Sequence, residues 1–178
     1  LADAALPEIV AHHFEQAGDT GEAVSHWAEA GRRAAAQGAH VEALHHLTHA
    51  SALLDSLPPV PAHRQLACDL LLQRAGSMRL LERIDEAFVV LSRAESLALE
   101  HNDARCLADI CFLRGNLYFP RGDFDRCMEQ HARSRELANS VGDREREARA
   151  LSGLGDASYL RGAMITAHGH FDRCVQLS

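Results

Sequence analysis

Lysine is absent from this 178-residue sequence, and all eighteen of its Lys and Arg positions are arginine. Without lysine there is no phosphate-binding loop of the GxxxxGK[ST] type, in which lysine contacts the phosphates. The formal net charge is -7, so the chain also lacks the positive excess that nucleic-acid backbones attract. These absences argue against a nucleotide-hydrolysing site and against nucleic-acid binding by this chain.

Aromatic residues are scarce, at 5% of the sequence, whereas alanine and leucine are abundant. This balance favours helices, because aromatic and β-branched residues are the ones that form strands most readily. No segment alternates between apolar and polar residues over five or more positions, and no run of about 18 apolar residues is present. The sequence therefore predicts an all-helical protein without a membrane-spanning segment.

Five cysteines are present, but no two of them form a CxxC pair. Most fall on the apolar faces of predicted helices, where a free thiol behaves as a small apolar side chain. Free thiols persist in a reducing compartment and no signal peptide is visible, so we expect a cytoplasmic protein. Because the sequence starts without methionine and is helical in pattern there, we expect it to be part of a longer protein.

The strongest pattern is a repeat with a constant step of 40 residues. Three sets of residues coincide at this step: Ala75, Gly115 and Gly155; Ala87, Cys127 and Ala167; Leu91, His131 and Phe171. Antiparallel helices cross closely where both carry small residues, and a large residue one turn away fills the space between them. The repeat therefore predicts helical hairpins. The Gly-Asp pairs between their helices predict a left-handed turn followed by an N-cap.

The first third of the chain shows the same alternation of small and large residues, with a shorter step of 20. Ala11, Trp27 and Ala30 occupy such positions, so Trp27 is expected in the core. Three prolines within 58–61 must interrupt the helix, since proline lacks the backbone donor and clashes with the preceding turn. We predict N-terminal repeats at 1–57, a proline-rich break at 58–61, and three 40-residue units at 62–178, all in one continuous solenoid.

Nine helices follow from these periodicities. Their predicted ranges are 4–17, 21–37, 40–56, 62–81, 84–101, 103–119, 123–140, 143–161 and 164–177. The helix at 21–37 is predicted to be the second helix of one hairpin and the first helix of the next.

These spacings resemble the tetratricopeptide repeat (TPR), whose unit is a helix–turn–helix of about 34 residues. The resemblance is clearest in Leu113-Arg114-Gly115-Asn116-Leu117-Tyr118, then Gly122-Asp123-Phe124-Asp125, and in Leu154-Gly155-Asp156. It covers essentially the whole chain, and the longer step is similar to an extended variety found in bacterial signalling proteins. The resemblance implies a right-handed α–α superhelix of about nine helices that binds proteins and needs no cofactor.

Residues 7–58 carry a narrower likeness. Their sequence from Pro7 to Gly18, followed by Ala23-Val24-Ser25-His26-Trp27 and later by Leu57-Pro58, resembles the segment after the ATPase domain of large bacterial regulators. Those regulators are ATPases fused to nucleotide cyclases, or large transcriptional activators. The likeness implies that the repeats sense or hold a partner within such a regulator.

A candidate binding groove follows from the geometry of a solenoid, in which the first helix of each hairpin lines the concave surface. Counting from the packing residues gives the side chains on that face: Arg79, Asp109, Phe112, Asn116, Phe119, Arg149, Asp156 and Tyr159. We predict that Asn116 and Arg149 hold a peptide backbone or carboxylate. A purely structural solenoid needs only a soluble surface here, so the large aromatic side chains on this face favour a binding role.

The groove partly resembles the carboxylate clamp of repeats that bind chaperone tails. Asn116 stands at the matching place, but Phe112 occupies the place of the clamp's lysine and Gly153 that of another basic residue. A peptide-like ligand and the parent protein's own domains both remain open as occupants of the groove.

Catalytic and metal-binding chemistry find little support in the sequence. His45 and His49 are one helical turn apart, a spacing that suits zinc, but the glutamate of an HExxH motif is missing. We therefore interpret the twelve histidines as solvated or partly packed. No GxSxG motif is present, the cysteines align with packing positions, and the run from Arg144 to Arg149 is typical of a solvated face with local ion pairs. We predict no catalytic residue, no metal site and no enzymatic activity.

The sequence thus favours a protein-interaction module that binds a peptide or partner domain in its concave groove. Two alternatives stay open. The first is a structural spacer or oligomerisation arm, with homo-oligomers as its product. The second is a sensor of a small ligand or metal that uses the histidines.

Overall fold

The computed structural model describes residues 6–177, which contain nine α-helices and no strand. The helices are α1 (Pro7–Gln16), α2 (Thr20–Ala36), α3 (His40–Leu54), α4 (Pro61–Leu80), α5 (Ile84–Glu100), α6 (Ala104–Tyr118), α7 (Phe124–Ser140), α8 (Arg144–Leu160) and α9 (Met164–Leu177). A 3-10 turn, Phe119–Arg121, follows α6. The predicted all-α fold class is confirmed, and the predicted helix ends agree to within two residues. The predicted first-helix start at residue 4 lies outside the described residues.

The chain divides into two compact units, Leu1–Val90 and Leu91–Ser178, with the division inside α5. The segments predicted from the sequence, with their break at 58–61, stay a prediction; their residues 1–5 and 178 lie outside the described part. The prolines stand in the connection from α3 to α4. One apolar cluster contains both Leu54 and Leu70, so the core of the first unit continues across that connection.

The connections between helices confirm the predicted turn and cap chemistry. Gly122 and Gly142 adopt left-handed backbone angles, with φ of 69° and 66°, which glycine accepts without a steric penalty. The carboxylates of Asp123 and Asp143 then accept hydrogen bonds of 3.2 and 3.1 Å from the backbone N–H groups three residues later. Asn102 takes the same left-handed conformation ahead of α6, with φ of 54°. These helices therefore end and begin through local interactions.

Close helix crossings depend on the predicted pairing of small with large residues. In three hairpins a large side chain of the second helix lies against a glycine of the first: Leu47 on Gly31, His131 on Gly115, and Phe171 on Gly155. A Cβ atom on Gly31 would stand 2.5 Å from Cγ of Leu47, and one on Gly115 would stand 2.5 Å from Cε1 of His131. The glycines thus provide the space in which the partner side chains are buried.

His131 is a buried polar side chain in the packing of the second unit. Its ring is 1% exposed and also touches Gly153 of α8, so it is held between two first helices. Burial disfavours the imidazolium form and lowers the pKa of His131 to about 4. The expectation of solvated or partly packed histidines is therefore wrong for this residue, which fills the place that Leu91 and Phe171 take in the other repeats.

Trp27 lies in the core of the first unit, as predicted, and is 5% exposed. Its Nε1 donates a 3.1 Å hydrogen bond to Oε2 of Glu15, and the same oxygen is 2.9 Å from Nε2 of His49. The hydrogen bonds from His49 and then Trp27 lower the pKa of Glu15. Rings of His12, His46 and His49 lie 4.9–5.4 Å from the indole. Two of these three histidines belong to α3 and the third to α1, so the cluster joins α1 and α2 to α3.

Candidate partner-binding surface

Seven of the eight predicted groove residues lie together in the second unit, and the eighth, Arg79, lies on α4 in the first unit. Helices α6 and α8 contact each other directly. Their shared surface, called the α6–α8 face below, is made up of Asp109, Phe112, Asn116 and Phe119 from α6 and its 3-10 turn, and Arg149, Asp156 and Tyr159 from α8. The spacing of three and four residues places each set along one side of its helix.

Arg149 joins the two helices of this face. Its guanidinium carbon lies 4.5 Å from the centre of the Phe112 ring, a distance that suits a cation–π contact. Its Nη1 is 3.4 Å from Oδ1 of Asp109. The arginine that the sequence assigned to a ligand carboxylate therefore already has an anionic and an aromatic partner within the chain.

Arg146 is a further member of the face that the sequence did not indicate. Its Nε and Nη2 donate to Oδ2 of Asp109 at 3.0 and 2.8 Å, and its Nη1 donates to Oδ2 of Asp143 at 2.7 Å. These bonds, with Asp109 contributing most, raise the pKa of Arg146. The run from Arg144 to Arg149 is predicted to be a solvated face with local ion pairs, and Arg146 has such a pair with Asp143. However, Arg146 and Arg149 also contact Asp109 on another helix.

The aromatic residues of the face differ in how much of them is covered. Phe112 is half-buried, with its ring 5.4 Å from that of His131 beneath it. Phe119 is also half-buried, and its ring meets that of Phe124 edge-on at 5.9 Å. Tyr159 is 56% exposed. All three rings are therefore at least partly exposed, and Tyr159 is the most exposed of them.

Asn116 and Asp156 are the polar groups of the face that lack partners within residues 6–177. Neither side chain takes part in a hydrogen bond or ion pair there. Burial raises the pKa of Asp156, and no neighbouring cation lowers it. One amide and one carboxylate thus lack partners among the described residues, and Phe119 and Tyr159 follow them by three residues.

The described residues show neither a cluster of metal-binding side chains nor, at Cys111 and Cys127, a reactive thiol. Within residues 6–177, no group of three or more His, Cys, Asp or Glu side chains is placed to hold a metal ion. A shallow depression of about 650 Å³ in the first unit is lined by His40, His45 and His46, but burial lowers the pKa of His46 and the lining is mostly apolar. Burial also raises the pKa of Cys127, to about 11, and that of Cys111. Both thiols are therefore held in their unreactive, protonated form near neutral pH.

Comparison with known proteins identifies the fold. No protein-family model matches the sequence, and no curated protein sequence matches it significantly. Among solved structures, the chain is similar to YrrB, described as a TPR protein with an unusual peptide-binding site. The TM-score is 0.55, with 16% identity over 99% of this chain and 87% of YrrB. The chain has a TPR-like helical repeat fold.

Two further structures support the TPR-like fold. BtubC from P. vanneervenii is similar with a TM-score of 0.68 and 15% identity, over 96% of this chain and 78% of BtubC. A MamA fragment from Desulfovibrio magneticus RS-1 gives a TM-score of 0.59 and 17% identity, over 99% of this chain and 96% of the fragment. No helix within residues 6–177 is both long and apolar enough to cross a membrane.

Proposed function

We propose that this chain is a protein-interaction module that binds a peptide segment or partner domain on the α6–α8 face. The observation that carries the proposal is the accessible row of Phe112, Phe119 and Tyr159 on adjoining first helices, with the unpaired amide of Asn116 beside it. Aromatic rings that are only partly covered gain from burial in an interface, and a free amide can pair with a peptide backbone. The peptide-binding site reported for YrrB, a protein with a similar fold, is consistent with this proposal.

Binding rather than catalysis is supported by the state of the reactive groups. The thiols of Cys111 and Cys127 are buried, and the carboxylate of Asp109 is engaged by two arginines. A nucleophilic thiol must be deprotonated and accessible to substrate, whereas burial raises the pKa of both thiols and covers them. We therefore propose a non-enzymatic role.

The proposal is tested by selecting phage-displayed linear peptides on the purified, immobilised chain. We expect enrichment on the wild type and its loss when Phe112, Phe119 and Tyr159 are all changed to alanine. All three rings are at least partly exposed, so the triple variant should keep the wild-type helical circular dichroism. A matched control changes exposed apolar residues elsewhere, Val41 and Val89, to alanine and should retain the enriched peptides. If the triple variant enriches the same peptides as the wild type, the face is wrongly assigned.

An oligomerisation arm remains the second candidate, because α9 exposes two branched apolar side chains. Ile165 is 92% exposed and Val175 is 76% exposed. At the 40-residue step, Ile165 corresponds to Asp85 and Asp125, which are polar. If α9 drives association, sedimentation velocity will show concentration-dependent dimers that Ile165→Asp abolishes. A wild-type chain that sediments as a monomer at every concentration tested would eliminate this candidate.

We also propose that the module works in the cytoplasm, within a bacterial signalling or transcriptional regulator. The support is the likeness of residues 7–58 to the segment after an ATPase domain in such regulators, together with the free cysteines. The complete reading frame tests this directly. We expect it to encode an ATPase domain immediately before the present residue 1, and a frame without one would refute the placement.

A further inference from the structure

Within the described part of the chain, the charged side chains of the α6–α8 face have partners of opposite charge at one end of the face but not at the other. At the end where the two helices begin, Asp109 is bonded to Arg146 and is 3.4 Å from Arg149. Asp143, which caps α8, pairs with Arg146 and lies 3.8 Å from Arg105. Three guanidinium groups therefore compensate two carboxylates here, and the guanidinium of Arg149 also lies over the Phe112 ring.

The opposite end of the face carries an uncompensated carboxylate. Asp156 has no hydrogen-bond or ion-pair partner within residues 6–177, and only burial shifts its pKa. Arg161, the arginine that follows α8, is directed to Asp125 of α7 instead. Arg126 lies against Asp123 and over the ring of Tyr118. The cations near this end thus have partners other than Asp156.

Helix polarity adds to the same imbalance. Asn116 lies in the last turn of α6 (Ala104–Tyr118), and Asp156 lies four residues before the end of α8 (Arg144–Leu160). The backbone dipoles of a helix sum to roughly half a negative charge at its C-terminus, which favours cations near that end. Two such helix ends, one carboxylate and the oxygen of one amide therefore make this end of the face attractive to a positive group.

Aromatic rings at the same end favour a planar cation. Tyr159, three residues after Asp156, is 56% exposed, and Phe119, three residues after Asn116, is half-buried. Guanidinium groups stack on aromatic faces and donate several hydrogen bonds in one plane, which an ammonium group does less well. The arginine that stacks on Phe112 shows the same contact inside this chain.

We propose that the α6–α8 face selects peptide segments with an arginine side chain, which is held at the end formed by Asn116, Phe119, Asp156 and Tyr159. The inference deepens the proposed function and rests on it. The face would thus take a basic segment, the opposite of the acidic tail that the carboxylate-clamp resemblance suggests. The arginine guanidinium lies on the Tyr159 ring and donates hydrogen bonds to the Asp156 carboxylate. The backbone of the same peptide pairs with the Asn116 amide.

The test uses three small probes whose side chains are positive, neutral and negative, of which the first two are matched in length and shape. N-acetyl-arginine methylamide, its neutral analogue N-acetyl-citrulline methylamide, and N-acetyl-glutamate methylamide are each titrated into the ¹⁵N-labelled 178-residue chain. We expect the arginine probe to shift the Asn116 side-chain signal and the backbone signals of residues 156–159. It should do so at a concentration about fivefold lower than the citrulline probe, as one exposed charge contact together with one cation–π contact would produce. The glutamate probe should leave these signals in place.

Two variants decide which residue carries the preference. Asp156→Asn is expected to bring the arginine and citrulline probes to within a factor of two of each other, about the remaining stacking contribution. Glu129→Gln, which removes one negative charge from an exposed position of α7, should keep the fivefold preference. Both are surface substitutions, and an unchanged melting temperature verifies that each variant is folded.

Each outcome decides the proposal. If the arginine and citrulline probes shift the same signals at equal concentrations, the proposed selection for a positive side chain is wrong. The α6–α8 face would still be a binding surface. Stronger binding of glutamate, or no response to any probe, also overturns it. Failure of the proposed function itself is seen separately, when the peptides enriched by phage display do not depend on Phe112, Phe119 and Tyr159.

Discussion

Replacing Gly153 by alanine is expected to destabilise the chain by about 1–3 kcal/mol, although alanine is the better helix former by about 1 kcal/mol. A Cβ atom at Gly153 would stand 2.5 Å from both Cε1 and Nε2 of His131. The ring has little room to move towards α6, because a Cβ atom on Gly115 would also stand 2.5 Å from Cε1 of His131. Urea denaturation measures the loss of unfolding free energy.

The matched control is Gly169→Ala on α9. No atom lies within 4 Å of the Cβ that this change would add, so we expect it to stabilise the chain by up to about 1 kcal/mol. A second comparison places Gly153→Ala in a His131→Ala background, where the space is free and the sign should reverse. If Gly153→Ala stabilises the wild-type chain as Gly169→Ala does, the close approach of α7 to α8 is wrong.

The second large effect concerns pH. The pKa of His131 is about 4, against an ordinary value of 6.5, so the unfolded chain binds a proton at a pH where the folded chain does not. The contribution of the neutral ring to stability is complete above pH 6.5 and falls as the pH drops from 6.5 towards 4. The difference amounts to about 3 kcal/mol over that window, since one pKa unit corresponds to about 1.4 kcal/mol.

His131→Leu isolates this contribution, because leucine occupies the equivalent place at Leu91. We expect the variant to match the wild type within about 1 kcal/mol at pH 7.5, since the change nearly conserves volume. At pH 4.5 it should be more stable than the wild type by about 2–3 kcal/mol. His46 and His170 also have pKa values lowered by burial, but they are present in both proteins and their effects cancel. His168→Leu, at an exposed position, should keep the wild-type pH dependence. Parallel pH profiles for wild type and His131→Leu would contradict the buried, neutral state of the ring.

The features of the fold that are local in sequence were predictable. Gly-Asp and Asn-Asp pairs mark the connections because a left-handed residue and a capping carboxylate act within four residues of each other. The small and large residues 40 positions apart identified the hairpins, because in each repeat a large side chain of one helix packs against a small residue of the other. His131 aligned with Leu91 and Phe171, and that alignment was a better guide to its burial than its chemical type.

The electrostatics of the α6–α8 face were not predictable, because they depend on contacts between helices. Arg146 and Asp109 are 37 residues apart, and no local pattern indicates that two guanidinium nitrogens reach one carboxylate oxygen. The state of Arg149 has the same origin, since its ring partner belongs to α6. The place where a carboxylate clamp has a basic residue holds Gly153, and the structure gives the reason, because any side chain there would meet His131.

The connections between helices also bear on how such a chain can change in length over evolution. Gly122 and Gly162 share a left-handed conformation, with φ of 69° and 78°, and lie one 40-residue step apart. Asp103 and Asp143 cap their helices in the same way at the same step. A duplication or deletion of one whole 40-residue block therefore joins two equivalent connections. The turn glycine and the capping aspartate then stay at the ends of their helices. Gene segments of that length can be gained or lost in a single event, whereas changes of other lengths would separate a helix from its cap.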